Sequence, residues 1–462
     1  MTLERVIAAL AAAEVRGDPA VEVRDLAYDA RAVRPGALFF CVPGGRFDGH
    51  DFAGEAAASG AVALVVERPL DVAVPQVVVP SVRGAMPPAA VAFFGDPSAE
   101  LTVAGVTGTS GKTTTTFLLW SILDAAGRRP GLLGSVERRI GAEVRQPTLN
   151  TPEAIDLQRL LREMADAGNR SCVIEATSIA SAQGRLDGVR FAVLVFTNLS
   201  QDHLDFHGTM EEYFAAKRRL FDGVAGPVVN VGDEWGRRLA VDLPDAVTFG
   251  LADGADLGPE ALAGVELRLR GRFNVENALG AIAAARVLGV DDAAIKPGLE
   301  AVEGVPGRFE TVEEGQPFTV VVDYSHKPRA LEIVLETARG LTSGRVICVF
   351  GCGGDRDRGK RSQMGRIAAE HADRAILTSD NPRSEDPLAI IGEVLEGAPD
   401  LEVEPDRRAA IERAIAAAEE GDVVVIAGKG DEQGQEVAGV VHPFDDRVVA
   451  REALRERLGV RA

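Results

Sequence analysis

Residues 105–117 read GVTGTSGKTTTTF, with an apolar, β-branched run before them and a helical run after them. Glycines at such a strand-to-helix turn leave backbone N–H groups free beside a helix N-terminus, where an anion is stabilised. Lys112 adds a positive charge, and Thr113 adds a hydroxyl that suits Mg²⁺. The core, residues 108–113, is more compact than the common G-x-x-x-x-G-K-S/T template, so a plain glycine turn is the alternative. The stretch predicts a phosphate-binding loop, hereafter the P-loop, for a nucleotide.

The composition is that of a globular protein with an acidic surface. A chain of 462 residues predicts about three domains. Seventy acidic residues exceed the 50 basic ones and give a formal charge of -20, so neither nucleic acid nor an anionic membrane surface is an expected partner. An anionic substrate would therefore need a locally basic pocket.

The sequence favours the cytoplasm. No uncharged apolar run approaches the roughly 18 residues that span a bilayer, so stable membrane insertion is not expected. Leu3, Ile7 and Leu10 fall on one helical face, which favours an ordinary first helix over a secretory leader. Four scattered cysteines are too few for a disulfide framework and are expected to be reduced.

Two passages rich in Pro and Gly, residues 83–100 and 302–310, divide the chain. We predict domains at residues 1–97, 98–304 and 305–462. Continuous apolar runs alternate with helical stretches in the second and third segments, which indicates α/β domains whose parallel sheets are covered on both faces. Ligands collect at the carboxyl ends of such strands. Polar residues follow six of these runs, so a composite cleft between two α/β domains is expected.

Many strings in one order carry a family resemblance. They include GTSGKTTT (108–115), FTNLSQDHLDFHGTMEEYFAAKRRLF (196–221), GRFNVENAL (271–279), DYSHKP (323–328), FGCGGDRDRGKR (350–361) and DNPRSEDP (380–387). In these strings the chain resembles the Mur ligase family, in particular its tripeptide-synthetase branch. The resemblance implies an N-terminal uridine-nucleotide domain, a central P-loop ATPase domain and a C-terminal Rossmann-like domain. It also implies ATP-driven addition of an amino acid to a UDP-N-acetylmuramoyl dipeptide through an acyl phosphate, in peptidoglycan synthesis.

The resemblance assigns the reacting end of the site, with ATP and Mg²⁺ as cofactors. It implies four catalytic residues, Lys112, Glu175, His203 and Lys217, the last as a carbamate. The implied Mg²⁺-associated set is Thr113, Glu175, His203 and carbamylated Lys217. The implied ATP-binding residues are Gly108, Thr109, Ser110, Gly111, Lys112, Thr113, Thr114, Asn274, Asn277, Arg308, Asp323 and His326.

The resemblance also assigns the two other substrates. For the UDP-linked substrate it implies Asp29, Ala30, Arg31, Gly49, His50, Asn150, Thr151, Thr177, Gln183 and Arg185. For the amino acid it implies Arg356, Asp380, Asn381, Pro382, Arg383, Gly428 and Glu432. The Asp-Asn-Pro-Arg form accompanies meso-diaminopimelate in the family, because a guanidinium can pair with the second carboxylate of that amino acid. A monomer is expected.

Several positions depart from the family pattern. Ala30 lacks a usual hydroxyl, Ile179 and Asp431 stand where histidines are usual, Gln201 replaces an arginine, and Lys327 replaces a threonine. A Mur-type ligase for L-lysine or another carboxylate acceptor therefore remains an alternative. An ATP-gated regulatory protein is a second alternative, which the set of Glu175, His203 and Lys217 disfavours.

Overall fold

The computed structural model describes residues 1–12, 14–45 and 47–459. Three sheets of five, eight and six strands follow one another along the chain, and a two-stranded hairpin accompanies the third. Helices cover these sheets, so the predicted α/β class with three sheet-centred domains is confirmed. In the described part of the chain, no helix is long and apolar enough to cross a membrane.

The first sheet has the order β1-β5-β4-β3-β2, with β1 antiparallel to β5 and the other pairs parallel. The first helix is present but ends at Ile7; Leu3 and Val6 are buried, whereas Ile7 and Leu10, which the sequence pattern places on the same face as Leu3, are only half-buried. The elements are α1 (Leu3–Ile7), β1 (Glu14–Arg16), β2 (Asp25–Ala27), β3 (Ala37–Phe40), α2 (Ala53–Ala58), β4 (Ala61–Val66), β5 (Gln76–Val78) and α3 (Val82–Phe94), with 3-10 turns at Ala30–Ala32 and Gly49–Phe52.

The second sheet has the order β13-β12-β11-β6-β10-β7-β8-β9 and is parallel from β13 to β7. Its apolar strands pack against α5, α11 and α12 on one face and against α6 and α9 on the other. The helices are α4 (Pro97–Glu100), α5 (Lys112–Ala125), α6 (Ala154–Asp166), α7 (Ser178–Ala182), α8 (Leu204–His207), α9 (Met210–Arg218), α10 (Glu234–Asp242), α11 (Arg272–Val287) and α12 (Asp292–Glu300), with 3-10 turns at Arg219–Phe221 and Pro259–Leu262. The strands are β6 (Thr102–Thr107), β7 (Pro130–Leu133), β8 (Arg138–Ile140), β9 (Glu143–Arg145), β10 (Ser171–Glu175), β11 (Phe191–Phe196), β12 (Pro227–Asn230) and β13 (Val247–Phe249).

The third sheet has the order β14-β15-β19-β16-β17-β18 and is parallel except for β14. One face packs against α13, α14 and α15, and the other against α16 and α17. The helices are α13 (Pro328–Gly340), α14 (Arg361–His371), α15 (Pro387–Leu395), α16 (Arg407–Ala417) and α17 (Asp446–Leu458). The strands are β14 (Glu310–Thr311), β15 (Thr319–Asp323), β16 (Val346–Phe350), β17 (Arg374–Leu377), β18 (Glu402–Val403), β19 (Val423–Ala427), β20 (Gly434–Val437) and β21 (Val440–Pro443).

The strand ends place the polar residues where the sequence predicts them. β6 ends just before Gly108, β10 ends at Glu175, and β15 ends at Asp323. Contacts between side chains after these ends join the central and C-terminal domains, as the next section describes. All four cysteines are buried free thiols, which agrees with the expected reduced state.

Candidate active site

The P-loop has two positions that only glycine fits. Gly108 has a φ of 145°, and a Cβ there would lie 1.9 Å from Thr197 Oγ1. Gly111 has a φ of 83°, and its Cβ would lie 2.2 Å from Asn277 Oδ1. Both angles are in the left-handed region, and the side chains of Thr197 and Asn277 pack directly against the loop. Any residue larger than glycine would therefore displace the loop. The loop thus runs from β6 into α5, which begins at Lys112.

Three lysines converge on the carbonyl groups of this loop. Lys112 Nζ donates to Gly108 O and Thr109 O, each at 3.0 Å. Lys217 Nζ, on α9, donates to Gly108 O at 2.8 Å, and Lys327 Nζ lies 3.4 Å from Thr109 O. Burial and the neighbouring Lys327 lower the pKa of Lys112 to about 8. Burial, together with the charges of Lys112 and Lys327, holds the pKa of Lys217 well below its usual range.

A chain of oxygen atoms lies beside the lysines. Ser135 Oγ lies 3.1 Å from Thr113 Oγ1 and 2.9 Å from Glu175 Oε1, and the Ser135 N–H donates to the same carboxylate oxygen at 2.8 Å. Mg²⁺ prefers such hard oxygen donors, so Thr113 and Glu175 fit the cation expected here. Among the described residues, no group of three or more His, Cys, Asp and Glu side chains could by itself hold a metal. Any cation here would therefore also need hydroxyl, phosphate or water oxygens.

His203 stands on the opposite loop from these oxygens. Its Nε2 lies 3.0 Å from Asp202 Oδ2, and its ring contacts Tyr213 edge-on at 6.2 Å between centroids. Burial lowers the pKa of His203 to about 4, so the ring is neutral near pH 7 and one of its nitrogens can accept a hydrogen bond or a metal.

The predicted adenine- and ribose-side residues are mostly buried and connected to one another. Asn277 Nδ2 donates to Asn274 Oδ1 at 3.0 Å, and Asn274 Nδ2 donates to the Arg270 carbonyl at 2.7 Å. Asp323 accepts from the N–H of Phe309 at 2.7 Å and from the N–H of Ser325 at 2.8 Å. These bonds fix the loops around the nucleotide side of the site.

His326 follows Asp323 in the loop after β15. Its Nδ1 contacts the Tyr324 carbonyl at 2.8 Å, and its own carbonyl accepts from Lys360 Nζ at 2.8 Å. Burial, with the charges of Lys360 and Lys327, keeps the pKa of His326 well below its usual range. The ring is therefore neutral and held in one orientation.

Arg308 connects the P-loop to the C-terminal domain. Its Nη2 lies 3.5 Å from Thr113 Oγ1, and its Nη1 donates to Asp431 Oδ1 at 2.8 Å. The guanidinium also lies over the Tyr324 ring, 4.3 Å from the centroid. One side chain therefore touches the nucleotide loop and the loop that carries Glu432. Asp431, where the sequence departs from the family histidine, serves as the partner of this arginine.

The predicted UDP-side residues form two groups. Thr151, Thr177 and Arg185 come together: the two threonine hydroxyls are 3.0 Å apart, and Arg185 Nη1 donates to the Thr151 carbonyl at 3.2 Å. Gln183 lies at the end of α7 beside them, and its Oε1 is buried without a hydrogen-bond donor among the described residues. Asn150 is exposed next to Thr151. This group faces the carboxyl end of β10, where the acceptor carboxylate of a substrate would meet the P-loop.

The second UDP-side group lies in the N-terminal domain. Asp29 accepts two hydrogen bonds from its neighbour Arg31, at 2.9 and 2.6 Å, in an exposed turn that also contains Ala30. The side chain of His50 is buried: Nδ1 lies 2.6 Å from Asp48 Oδ1, and Nε2 accepts from the Glu67 N–H at 2.9 Å. Both ring nitrogens of His50 are therefore already engaged by groups of this domain. At Gly49, a Cβ would lie 2.7 Å from the backbone carbon of Cys41, so a larger residue would not fit there.

The predicted amino-acid residues form a tight cluster in the C-terminal domain. Asn381 Nδ2 donates to Glu432 Oε2 at 2.7 Å, and the fully buried Lys429 donates to the same oxygen at 3.0 Å. Asp380 is buried, and its Oδ2 accepts no hydrogen bond from the described residues. A Cβ at Gly428 would lie 2.5 Å from that oxygen, so glycine leaves the carboxylate open. Burial and the charge of Asp380 raise the pKa of Glu432. The cluster offers carboxylates to an ammonium group.

Arg383 lies at the edge of this cluster, and a hairpin holds its backbone. The N–H of Arg383 donates to the Glu436 carbonyl at 3.0 Å, and the N–H of Ala438 donates back to the Arg383 carbonyl at 2.7 Å. The side chain is 22% exposed and donates to the Gly354 carbonyl at 2.6 Å. Pro382 precedes it, and Arg356 is exposed on the loop that contains Gly354. The guanidinium is therefore restrained and partly exposed, and its Nε lies 3.6 Å from Glu436 Oε2, so a substrate carboxylate would share it with that side chain.

Four residues around the cleft that are not glycine adopt left-handed backbone angles. They are His203, Phe309, Asp355 and Arg383, with φ between 49° and 53°. Such angles are uncommon outside glycine and concentrate at functional sites. Asp96, Arg129 and Ala438 have similar angles, so such angles occur in the cleft but are not confined to it.

Sequence reasoning missed three contributors to the site. Ser135 follows β7, so the rule about strand ends could have found it, but no motif surrounds it. Lys429 is fully buried between Asn381 and Glu432, where the sequence predicts only a loop residue. In the hairpin, β21 is exposed and β20 is half-buried, and neither carries a motif that could have revealed the contact between β20 and Arg383.

A P-loop at the end of a parallel sheet, facing a second α/β domain across Arg308, defines a class of nucleotide-dependent α/β enzyme. The sequence patterns of three Mur ligase domains match the chain: "Mur ligase family, catalytic domain" at residues 22–96, "Mur ligase middle domain" at 106–285 and "Mur ligase, glutamate ligase domain" at 307–430. The chain belongs to the Mur ligase family of ATP-dependent ligases.

Curated relatives and a solved structure agree with this membership. The UDP-N-acetylmuramoyl-L-alanyl-D-glutamate--2,6-diaminopimelate ligase of Solibacter usitatus is 45% identical over 94% of this chain and 94% of its own length. The ligase of the same name from Streptomyces coelicolor is 45% identical over 96% of this chain and 94% of its own. A solved structure of a protein with that name superimposes with a TM-score of 0.67 at 33% identity and covers 99% of both chains.

More distant structures share the fold. MurF ligase from Thermotoga maritima in complex with ADP has a TM-score of 0.64 at 21% identity, covering 95% of this chain and 99% of its own. At that identity the likeness shows only that the three-domain architecture is the same.

Proposed function

We propose that the protein joins meso-diaminopimelate to UDP-N-acetylmuramoyl-L-alanyl-D-glutamate, with ATP, in peptidoglycan synthesis. The observation that carries the proposal is the position of Arg308, which touches Thr113 of the P-loop and Asp431 of the amino-acid loop. A carboxylate activated at the P-loop and an amine held at the cluster around Asp380 would then meet in one cleft. The names of relatives that are 45% identical over nearly the whole chain support the same substrates.

The P-loop end would bind ATP and activate the carboxylate. Lys112 and the N–H groups of Gly111 to Thr113 would hold the phosphates, because a helix N-terminus and an ammonium group both stabilise anions. Thr113, Glu175 and His203 would hold Mg²⁺, which neutralises phosphate charge when it is bound. The dipeptide carboxylate attacks the terminal phosphorus, ADP leaves, and an acyl phosphate remains.

Lys217 would act as a carbamate. Its pKa is lowered by burial and by two neighbouring lysines, so a neutral amine is available to attack CO₂. The addition forms an N–C bond and releases one proton, and the product is an anion. That anion would lie beside Lys112 and Lys327, which compensate its charge, and would add oxygen donors beside Thr113 and Glu175.

The amino-acid end would select diaminopimelate. Asp380 and Glu432 offer carboxylates to the ammonium at one end of the molecule, and the exposed part of Arg383 can pair with the carboxylate at the other end. Arg356, on the neighbouring loop, is available as a further cation. At the reacting end the ammonium first loses a proton. The neutral amine then attacks the acyl carbon, the N–C bond forms as the bond from that carbon to the phosphate oxygen breaks, phosphate leaves, and the nitrogen loses its second proton.

The UDP-linked substrate would extend from this cleft toward the N-terminal domain. Thr151, Thr177 and Arg185 lie next to the P-loop end, and the Asp29–Arg31 turn lies in the first domain. We propose the cytoplasm as the location, since ATP and a UDP-linked precursor are found there and all four cysteines are free. We also propose that the protein is a monomer and that its domain boundaries lie between residues 97 and 98 and between residues 304 and 305.

Phosphate release from ATP tests the proposal. Release should require both the UDP-muramoyl dipeptide and diaminopimelate, and L-lysine should serve poorly. Lys112→Ala should lower turnover by about a hundredfold to a thousandfold while the protein remains folded, because one charged phosphate contact is lost. Lys296→Ala, which removes an exposed lysine, should behave as the parent enzyme. Nucleotide binding without turnover under any substrate mixture would favour a regulatory protein instead.

A further inference from the structure

Lys327 comes to the P-loop from the other domain. It is the N-cap residue of α13 in the C-terminal domain, with an extended backbone, and its side chain is only 13% exposed. The side chain points away from its own domain: its polar contacts in the structure are with Asp202 Oδ2 at 2.7 Å and with Thr109 O at 3.4 Å. Both partners belong to the central domain.

The contacts place this ammonium group next to the phosphate lysine. Lys112 Nζ donates to Thr109 O at 3.0 Å, so the two ammonium groups share one carbonyl of the P-loop. Burial is the main cause of the lowered pKa of Lys112, and the positive charge of Lys327 is the second cause. A cation that only joined two domains would not need to lie at the loop that binds phosphate.

The local charges leave room for an anion. Lys112, Lys217 and Lys327 all approach the carbonyls of Gly108 or Thr109. Asp202 is the carboxylate paired with Lys327, and His203 shares the same oxygen at 3.0 Å. The ammonium groups of Lys112 and Lys327 share the Thr109 carbonyl and repel one another, and a phosphate group with two negative charges would relieve that repulsion.

We propose that Lys327 is a second phosphate-binding lysine, supplied to the P-loop by the C-terminal domain. It contacts the terminal phosphate of the nucleotide, and this contact does not depend on its ion pair with Asp202. This inference rests on the proposed use of ATP. The terminal phosphate of a triphosphate would then contact Lys112 of one domain and Lys327 of the other, whereas AMP lacks the phosphate that this contact needs.

Nucleotide binding tests the inference without the metal or turnover. We would measure by calorimetry, in EDTA, the dissociation constants of adenosine 5′-(β,γ-imido)triphosphate and of AMP for the parent enzyme, Lys327→Met and Lys327→Arg. Lys327→Met should weaken the imidotriphosphate about tenfold to a hundredfold and leave AMP unchanged, because one charge-assisted contact to the terminal phosphate is lost. Lys327→Arg should restore part of the affinity. Lys296→Met, at an exposed lysine, serves as the matched control.

Asp202→Asn separates phosphate binding from simple domain pairing. If Lys327 binds phosphate, Lys327→Met should still weaken the imidotriphosphate about tenfold when Asp202 is already Asn. Equal losses in the two single variants with no further loss in the double variant would overturn the inference, as would an unchanged affinity in Lys327→Met or an equal weakening of AMP. A parent enzyme that fails to bind the imidotriphosphate would contradict the proposed function as well.

Discussion

The two ends of the cleft are built with opposite charge. The P-loop end gathers the ammonium groups of Lys112 and Lys327 on loop carbonyls, with the buried amine of Lys217 beside them. The amino-acid end gathers the carboxylates of Asp380 and Glu432 in a buried cluster. A chain with a formal charge of -20 can thus hold a polyphosphate, because a few of its lysines lie together at this loop. The comparison teaches that charge at a site is decided locally and that net charge says little about it.

The largest effect should come from a residue that changes its charge. Lys217→Ala should lower turnover by about a hundredfold or more, because an anionic oxygen ligand beside Thr113 and Glu175 is lost. Short carboxylates such as formate or acetate should restore part of the activity, measured as phosphate release. Chloride at the same ionic strength is the control. If Lys217→Ala releases phosphate at the parent rate without an added carboxylate, a catalytic role for a carbamate at this position is excluded.

A smaller effect should come from Arg383, a cation at the edge of the acidic end. Arg383→Ala should narrow the preference for diaminopimelate over lysine by about tenfold to a hundredfold, because one bidentate pair with a carboxylate is lost. The loss should fall on diaminopimelate, and the kcat/KM for lysine should change little. Arg366→Ala, at an exposed arginine, is the control. Equal use of the two amino acids by the parent enzyme would contradict this role.

The smallest effect should appear in stability and depend on pH. Hydrogen bonds from the buried Arg361 lower the pKa of Glu385 from 4.5 to about 2, and Glu385 also accepts from the N–H of Asp355 at 2.6 Å. Because the pKa is lowered on folding, the contribution is full above pH 4.5 and disappears as the pH falls toward 2. Glu385→Gln should cost about 1 to 2 kcal/mol at pH 7.

Urea unfolding at a series of pH values measures this difference. The parent and Glu385→Gln should converge as the solution is acidified, whereas Glu396→Gln, at an exposed helix end, should match the parent throughout. A gap between the parent and Glu385→Gln that does not shrink toward pH 2 would show that the ion pair does not support the loop beside Arg383.

The sequence predicts the local parts of this cleft better than the parts assembled at a distance. The P-loop is contiguous, so its glycines, Lys112 and Thr113 can be identified from one strand-to-helix stretch. Pairs such as Lys327 with Asp202 depend on how two domains meet, which no local pattern encodes. Ser135 and Lys429 are single polar residues without a motif. The roles of the individual site residues and the three domain bounds stay predictions until the variants are measured.

The left-handed backbone angles at the cleft limit how the enzyme could be engineered for heat resistance. Each of His203, Phe309, Asp355 and Arg383 stores roughly 1 kcal/mol of strain that glycine would not have. Replacing them by glycine would relax the backbone but would remove a core side chain at Phe309, the partner of Ser384 at Asp355, and the proposed site residues His203 and Arg383. A thermostable version should therefore be sought in the helices of the three domains, and these four positions are poor choices for stabilising substitutions.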